Sequence, residues 1–213
     1  MPEVKLLPEY SPELAQELYQ SLEQWNTEVS DLLPSLPSHI RVQFDNRYLI
    51  LGFGTGGTAL SKDTMALAYN PNYDDQDVLV AELKSTYFQE AYHLARGYYK
   101  NPKIKNVPDL KKAVEEGAAA KFASMRAGSS TSNVKNEDRD VMLAWVEDMK
   151  NFRSPRDYNW RQWTFLNAAT KRKWVRYKVG SFIVDEALQK NPKHTIESIS
   201  LISSRGILAL SDL

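Results

Sequence analysis

Residues 85–99 read STYFQEAYHLARGYY, and within them Gln89-Glu90-Ala91-Tyr92-His93 places three chemically capable groups on little more than one helical turn. Positions i and i+4 of a helix share a face. The Gln89 amide and the His93 imidazole therefore point the same way, with the Glu90 carboxylate beside them. A histidine at 89 would complete H-E-x-x-H, in which two imidazoles hold one Zn²⁺ and the glutamate is the general base toward metal-bound water. Glutamine changes that chemistry. It offers a neutral carbonyl oxygen, a poorer zinc donor than imidazole. Its basicity also cannot be raised through a second ring nitrogen, a device whose loss alone costs on the order of 10- to 100-fold in metal affinity.

A second stretch, LKKAVEEGAAAKFA, follows on the next helical pattern and carries Glu115, Glu116 and Gly117. Adjacent helical residues project about 100° apart, so at most one of the two glutamates can join a site on a given face. TYFQEAYHLARGYY followed by this stretch resembles the gluzincin metallopeptidases, in particular compact, minigluzincin-like zinc proteases with an H-E-x-x-H helix and then an E-G-x-A helix. VRYKVGSFIVDEAL, with Tyr177 and Gly180, is similar to the Tyr-x-x-Gly helix of that family. The resemblance covers residues 40–213 in element order and is specific at the two motif helices. It implies a zincin-like fold whose small sheet has an edge strand beside the substrate. It assigns Glu90 as general base, His93 as the second zinc ligand and Glu116 as the glutamate ligand, with Gln89 standing where the first histidine belongs. Tyr177 is the corresponding hydrogen-bond donor to a developing oxyanion.

Three functional readings follow. In the first, the chain is a degenerate metallopeptidase homologue, inactive or impaired, that binds peptide or protein and holds zinc weakly if at all. In the second, it is an active zinc endopeptidase with a Gln89/His93/Glu116 site or a replacement donor, for which His39 and His194 are the other histidines. In the third, the pentapeptide is chance and the chain is an unrelated helical interaction protein. Glu90-x-x-His93 also matches half of a di-iron carboxylate site. Such a site needs a second Glu-x-x-His, which the sequence lacks.

The elements that must position these residues form an α+β pattern: one helix, a small sheet, then helices to the end. The expected layout is a single zincin-like domain over 1–213, with an N-terminal helix within 1–38, a small mixed sheet within 39–70, motif helices within 78–128 and a helical remainder over 133–213. Ser11 caps the first helix, Pro12 suits its first position, and Leu14, Leu18, Leu22, Trp25 and Val29 repeat at helical spacing. HIRVQFD and RYLILGF read as two strands of a hairpin turning at Asp45-Asn46. GFGTGG reads as a turn and TMALAYN as a strand. A flexible turn is favoured over a phosphate-cradling loop, because no Lys-Ser/Thr follows the glycines and a strand rather than a helix comes next. Asp77 is the expected cap of the helix over 78–98, which ends near Gly97. The next helix runs over about 108–127, with Asp109 near its start and Gly128 as its stop. Further helices are expected at 134–152, at 158–190 with a break, and from Thr195.

Twenty-seven basic residues balance 27 acidic ones, so no net field draws the chain to nucleic acid or an anionic membrane. The basic, aromatic segment from Arg153 to Lys178, with Trp160, Trp163 and Trp174, reads as a helix pair with a solvated basic face rather than a single-strand binder. The absence of cysteine removes disulfides, thiolate nucleophiles and thiolate metal sites. No signal peptide and no membrane span is visible, so the cytoplasm is the default compartment and a peptide or protein the expected partner.

Overall fold

Ser11 adopts extended backbone and its hydroxyl accepts the Leu14 N–H at 3.2 Å, so helix α1 begins at Pro12 and runs over Pro12–Leu32. Its inward stripe of Leu18, Leu22, Trp25 and Val29 is buried, and each such side chain contributes about 1.5–3 kcal/mol of transfer free energy before entropy is subtracted. In the computed structural model the described residues are 1–50, 52–99, 110–128, 137–151, 163 and 172–213. Two compact units emerge, residues 1–101 with 125–129, and residues 102–124 with 130–213.

The first unit carries a four-stranded mixed sheet. Strand β1 (Glu3–Lys5) pairs in parallel with β2 (Arg41–Phe44), β2 pairs in parallel with β4 (Thr64–Tyr69), and β3 (Thr55–Ser61) closes the antiparallel edge on β4. The fold class is α+β, with a small mixed sheet. Every residue of β4 is buried, as its place inside the sheet requires.

The hairpin differs from the expected one. Asp45 accepts the Arg47 N–H at 3.0 Å and turns residues Asn46–Tyr48 into a 3₁₀ turn, so RYLILGF does not continue as a strand. The left-handed Gly52 and Gly54 (φ 90° and 71°) then redirect the chain into β3. The observed hairpin is β3–β4, turning at Lys62-Asp63. Gly56 and Gly57, read in the sequence as part of a turn, lie within β3. A Cβ at Gly56 would sit 2.0 Å from the Tyr48 carbonyl oxygen, so only glycine admits that crossing.

Helix α2 (Gln76–Ala95) packs on β3, β4 and α1, which explains why it is buried on several sides. Its cap is Asp75, whose carboxylate accepts the Val78 N–H at 3.0 Å. Asp77 instead lies in the first turn, where its charge favours the helix N-terminus. The Tyr87 hydroxyl donates to Asn26 Oδ1 of α1 at 2.9 Å, and Lys84 pairs with Glu28 at 2.6 Å.

The second unit contains α3 (Leu110–Arg126) up to Ser124, α4 (Arg139–Lys150), α5 (Val175–Lys190) and α6 (Ser204–Ser211). The expected last helix from Thr195 is resolved into a 3₁₀ turn at Ser198–Leu201 and then α6, capped by Ser203. Arg139 reaches Glu186 at 2.7 Å and Lys121 reaches Asp185 at 2.9 Å. Asp109, the loop at 129–133, the start of the 134–152 helix and the front of the 158–190 helix lie outside the described residues. So do Arg153, Arg156, Trp160, Arg161 and Lys171. Within the described end of that basic stretch, Arg172 pairs with Asp148 at 2.8 Å and Lys178 pairs with Glu137, while Arg176 is buried. No helix among the described residues is long and apolar enough to cross a membrane.

Candidate functional site

Gln89, Glu90 and His93 stand together in the last turns of α2. Gln89 is partly exposed, whereas Glu90 and His93 are each only 4% exposed. The end of the helix fixes His93. Gly97 takes the left-handed conformation (φ 67°), its N–H bonds to Leu94 O at 3.0 Å, and the Tyr98 N–H reaches back to His93 O at 2.9 Å. These are the two bonds of a Schellman stop. The side chains at its two ends meet as such stops favour: the Tyr98 and His93 rings lie 5.1 Å apart at 45°. Gly97-Tyr98 is thus both the terminator of α2 and the clamp on its imidazole.

Glu90 is seated against the edge strand. A Cβ at Gly57 would fall 3.0 Å from Glu90 Cγ and 2.7 Å from Thr86 Cγ2. The missing side chain at 57 lets the Glu90 stem lie over β3, and Gly57 is the residue of this site that reading by type alone misses. Its signal was a glycine pair inside a segment otherwise compatible with a strand, the mark of close backbone approach.

In the second unit, Glu116 precedes Gly117 on α3, and Tyr177 lies one turn before Gly180 on α5. These two glycines make the crossing of the helices. A Cβ at Gly117 would lie 2.1 Å from the Gly180 carbonyl carbon, and one at Gly180 would lie 1.7 Å from the Ala113 carbonyl oxygen. The backbones touch, and one turn further along each helix Lys121 meets Asp185. The pair of glutamates is divided: the Ser204 hydroxyl donates to Glu115, tying α3 to the start of α6, while Glu116 remains partly exposed. The structure thus brings Gln89, Glu90 and His93 together on one helix of the first unit, and sets Glu116 and Tyr177 on two crossed helices of the second. His39 pairs with Glu3 at 3.5 Å, and His194 lies 3.5 Å from the Ser198 hydroxyl.

Trp174, just before α5, has left-handed backbone (φ 56°, ψ 30°) and gives its helix no side-chain cap. For a bulky residue this costs about 1–2 kcal/mol. Its indole meets the Tyr177 ring edge-on, with centroids 5.7 Å apart and planes at 73°, a contact worth about 0.5–1.5 kcal/mol.

A tightly held zinc ion needs three or four imidazole, thiolate or carboxylate donors. Helix α2 offers one imidazole and one neutral amide oxygen, and among the described residues no group of three or more His, Asp or Glu side chains gathers as metal ligands. No curated protein and no solved structure matches the chain. The sequence profile of DUF2268, described as a predicted Zn-dependent protease, matches residues 12–209, and the chain belongs to that family.

Proposed function

We propose that this member of a zinc-protease family has lost tight zinc binding and acts as a peptide- or protein-binding module. The observation that carries the reading is Gln89. It stands one turn before His93, on the same face of a helix whose end is otherwise built to hold an imidazole still. An amide oxygen there is a poor donor, while the Glu90 stem stays packed over the edge strand at Gly57. Strand β3 is a sheet edge whose Thr55 carbonyl already accepts the Ile50 N–H at 3.1 Å, and the outer main-chain groups further along it suit pairing with an extended chain. In this reading Gln89 contributes an amide that donates as well as accepts, which suits a peptide group better than a metal. Family membership over residues 12–209 leaves the third reading, an unrelated helical protein, without support.

The second reading is an active zinc endopeptidase with Gln89, His93 and Glu116 as donors and Glu90 as base. The burial of Glu90 and His93 favours it, because buried ionisable groups are costly to keep and cluster at working sites. Two measurements on protein purified without chelator separate the readings: zinc content, and cleavage of a fluorogenic peptide pool by wild type and Glu90→Gln. Zinc far below one per chain, no cleavage, and saturable binding of a fluorescein-labelled random decapeptide pool support the module. Near-stoichiometric zinc with cleavage that disappears in Glu90→Gln overturns it in favour of the enzyme.

A further inference from the structure

In the first unit, the loop from α1 into β2, the turn of the β3–β4 hairpin and the end of α2 line an open depression of about 570 Å³, a volume suited to a small molecule. It lies past the turn that stops α2, and none of Gln89, Glu90 and His93 lines it. Its walls are held in place. Pro34 and Pro37 fix two φ angles of the loop. The Leu36 N–H donates to Leu33 O at 2.9 Å, and the Arg41 N–H donates to Asp63 O at 2.8 Å, joining the loop's end to the hairpin turn. Leu94 and Ala95 add apolar surface. At Gly97 the left-handed backbone is bare, with nothing within 4 Å of the place a Cβ would take.

The polar side chains of this depression are mostly donors. Ser35, Ser38, His39, Lys62 and Arg96 can all donate. Asp63 is the carboxylate of the lining, and its Oδ1 already takes the Arg41 guanidinium at 2.8 Å, the Thr64 hydroxyl at 2.9 Å and the Ser61 hydroxyl at 3.0 Å. Arg41 thus offsets its charge on the spot. Glu3, outside the lining, lies 3.5 Å from His39. Arg96 brings a positive charge from the end of α2, its guanidinium 5.9 Å from the Tyr92 ring centroid. Lys62 is exposed, and among the described residues no hydrogen bond or ion pair reaches its ammonium. A solvated lysine is ordinary on a surface. Lys62 differs in sharing a preformed hollow with two hydroxyls, an imidazole and a second cation.

We propose that this depression binds a small phosphate monoester, with Lys62 and the Ser35 and Ser38 hydroxyls donating to the terminal oxygens and the organic part resting on Leu94, Ala95 and Pro37. A phosphate monoester brings three strong acceptor oxygens and about −1.5 to −2 charge, which suits several donors spread over separate turns better than the two oxygens of a carboxylate. The site is independent of the peptide-binding reading and of the residues on α2 that carry it.

The test uses the full chain and phenyl phosphate, with benzoate and phenol for comparison, followed by calorimetry and by proton–carbon spectra of the histidine Cε1 groups. The chain has three histidines, and the His39 signal is identified by its loss in His39→Gln. Wild type is expected to bind phenyl phosphate at one site, with the His39 signal moving along the same saturation curve. Lys62→Ala should weaken binding by about fivefold or more. Lys5→Ala removes an equal charge from the exposed end of β1, outside the lining, and should change binding by less than about twofold. Joint Ser35→Ala and Ser38→Ala should also weaken binding by about fivefold, and decides the matter if the Lys62 variant does not fold. The proposal is overturned if phenyl phosphate does not saturate wild type at concentrations that fill a site of about 1 mM, or if His39 stays unmoved while calorimetry shows binding. Equal losses in Lys62→Ala and Lys5→Ala overturn it in favour of a diffuse charge effect. Benzoate or phenol binding as tightly as phenyl phosphate overturns the phosphate assignment.

Discussion

Gly180→Ala adds one methyl group at the α3–α5 crossing, and the geometry there leaves no soft way to receive it. The new Cβ would stand 1.7 Å from the Ala113 carbonyl oxygen and 2.5 Å from its carbon. Both are backbone atoms inside a helix, so no side-chain rotation relieves the clash. Opening 1.7 Å to a tolerable 3.0 Å moves the helices apart by at least 1.3 Å. A gap of 0.5–1 Å already forfeits roughly a quarter to a half of each contact's dispersion well. The contacts concerned belong to residues such as Val114, Ala118, Val179 and Ile183, all fully buried. Overpacking of this kind costs about 1–3 kcal/mol, to which the lost contacts add, while alanine returns about 1 kcal/mol through helix propensity. The net expectation is a loss of about 2 kcal/mol, or about 4–8 °C in melting temperature for a chain of this size. Urea and thermal unfolding followed by circular dichroism measure it. Gly97→Ala is the comparison: its φ is 67° but nothing lies within 4 Å of a new Cβ, so it bears only the backbone strain, about 1 kcal/mol. If Gly180→Ala proves as stable as wild type, the helices do not cross backbone to backbone as described.

Two further expectations follow from single contacts. Asp75→Ala removes the α2 cap and should cost about 1 kcal/mol in urea unfolding, against a few tenths for Asp77→Ala, whose charge acts only through the helix dipole; the reverse order would show that the helix starts at Asp77. Arg41 donates to Asp63 at 2.8 Å and holds its carboxyl down at about 2, helped by Thr64 and Ser61. A depressed folded-state value stabilises above the unfolded value near 3.8, and that contribution is lost as pH falls through about 2. The melting-temperature gap between wild type and Asp63→Asn should therefore be full at pH 5 and narrow between about pH 4 and 2; a gap that widens on acidification contradicts the pairing.

The helices were legible where short-range physics decides them. Ser11-Pro12 and the stripe from Leu18 to Val29 specify α1 through capping and periodicity, and Gly97 and Gly128, both left-handed, end α2 and α3 where helix-stop chemistry puts them. The sheet was less legible. Tyr48-Leu49-Ile50 has the composition of a strand, yet Asp45 captures the backbone of Arg47 and starts a 3₁₀ turn first. Gly56-Gly57 has the composition of a turn, yet lies in β3 because a carbonyl on one face and the Thr86 and Glu90 side chains on the other leave no room for Cβ atoms. Strand β1 has three residues, and its parallel partner lies at residues 41–43, a pairing no local pattern announces. At the site, the types and spacing of Gln89, Glu90 and His93 were visible. The clamp of Tyr98 on His93, the room that Gly57 makes and the backbone of Trp174 were not, because each depends on where the chain returns.

Zinc titration of the metal-free wild type beside metal-free Gln89→His tests most directly whether one amide has cost this site its metal. Calorimetry at fixed pH should give the histidine variant one site per chain, with affinity at least 10- to 100-fold above that of wild type, and wild type too weak to retain zinc through dialysis. Equal affinities, or stoichiometric zinc surviving dialysis in wild type, would contradict the account and return the chain to the working zinc peptidases.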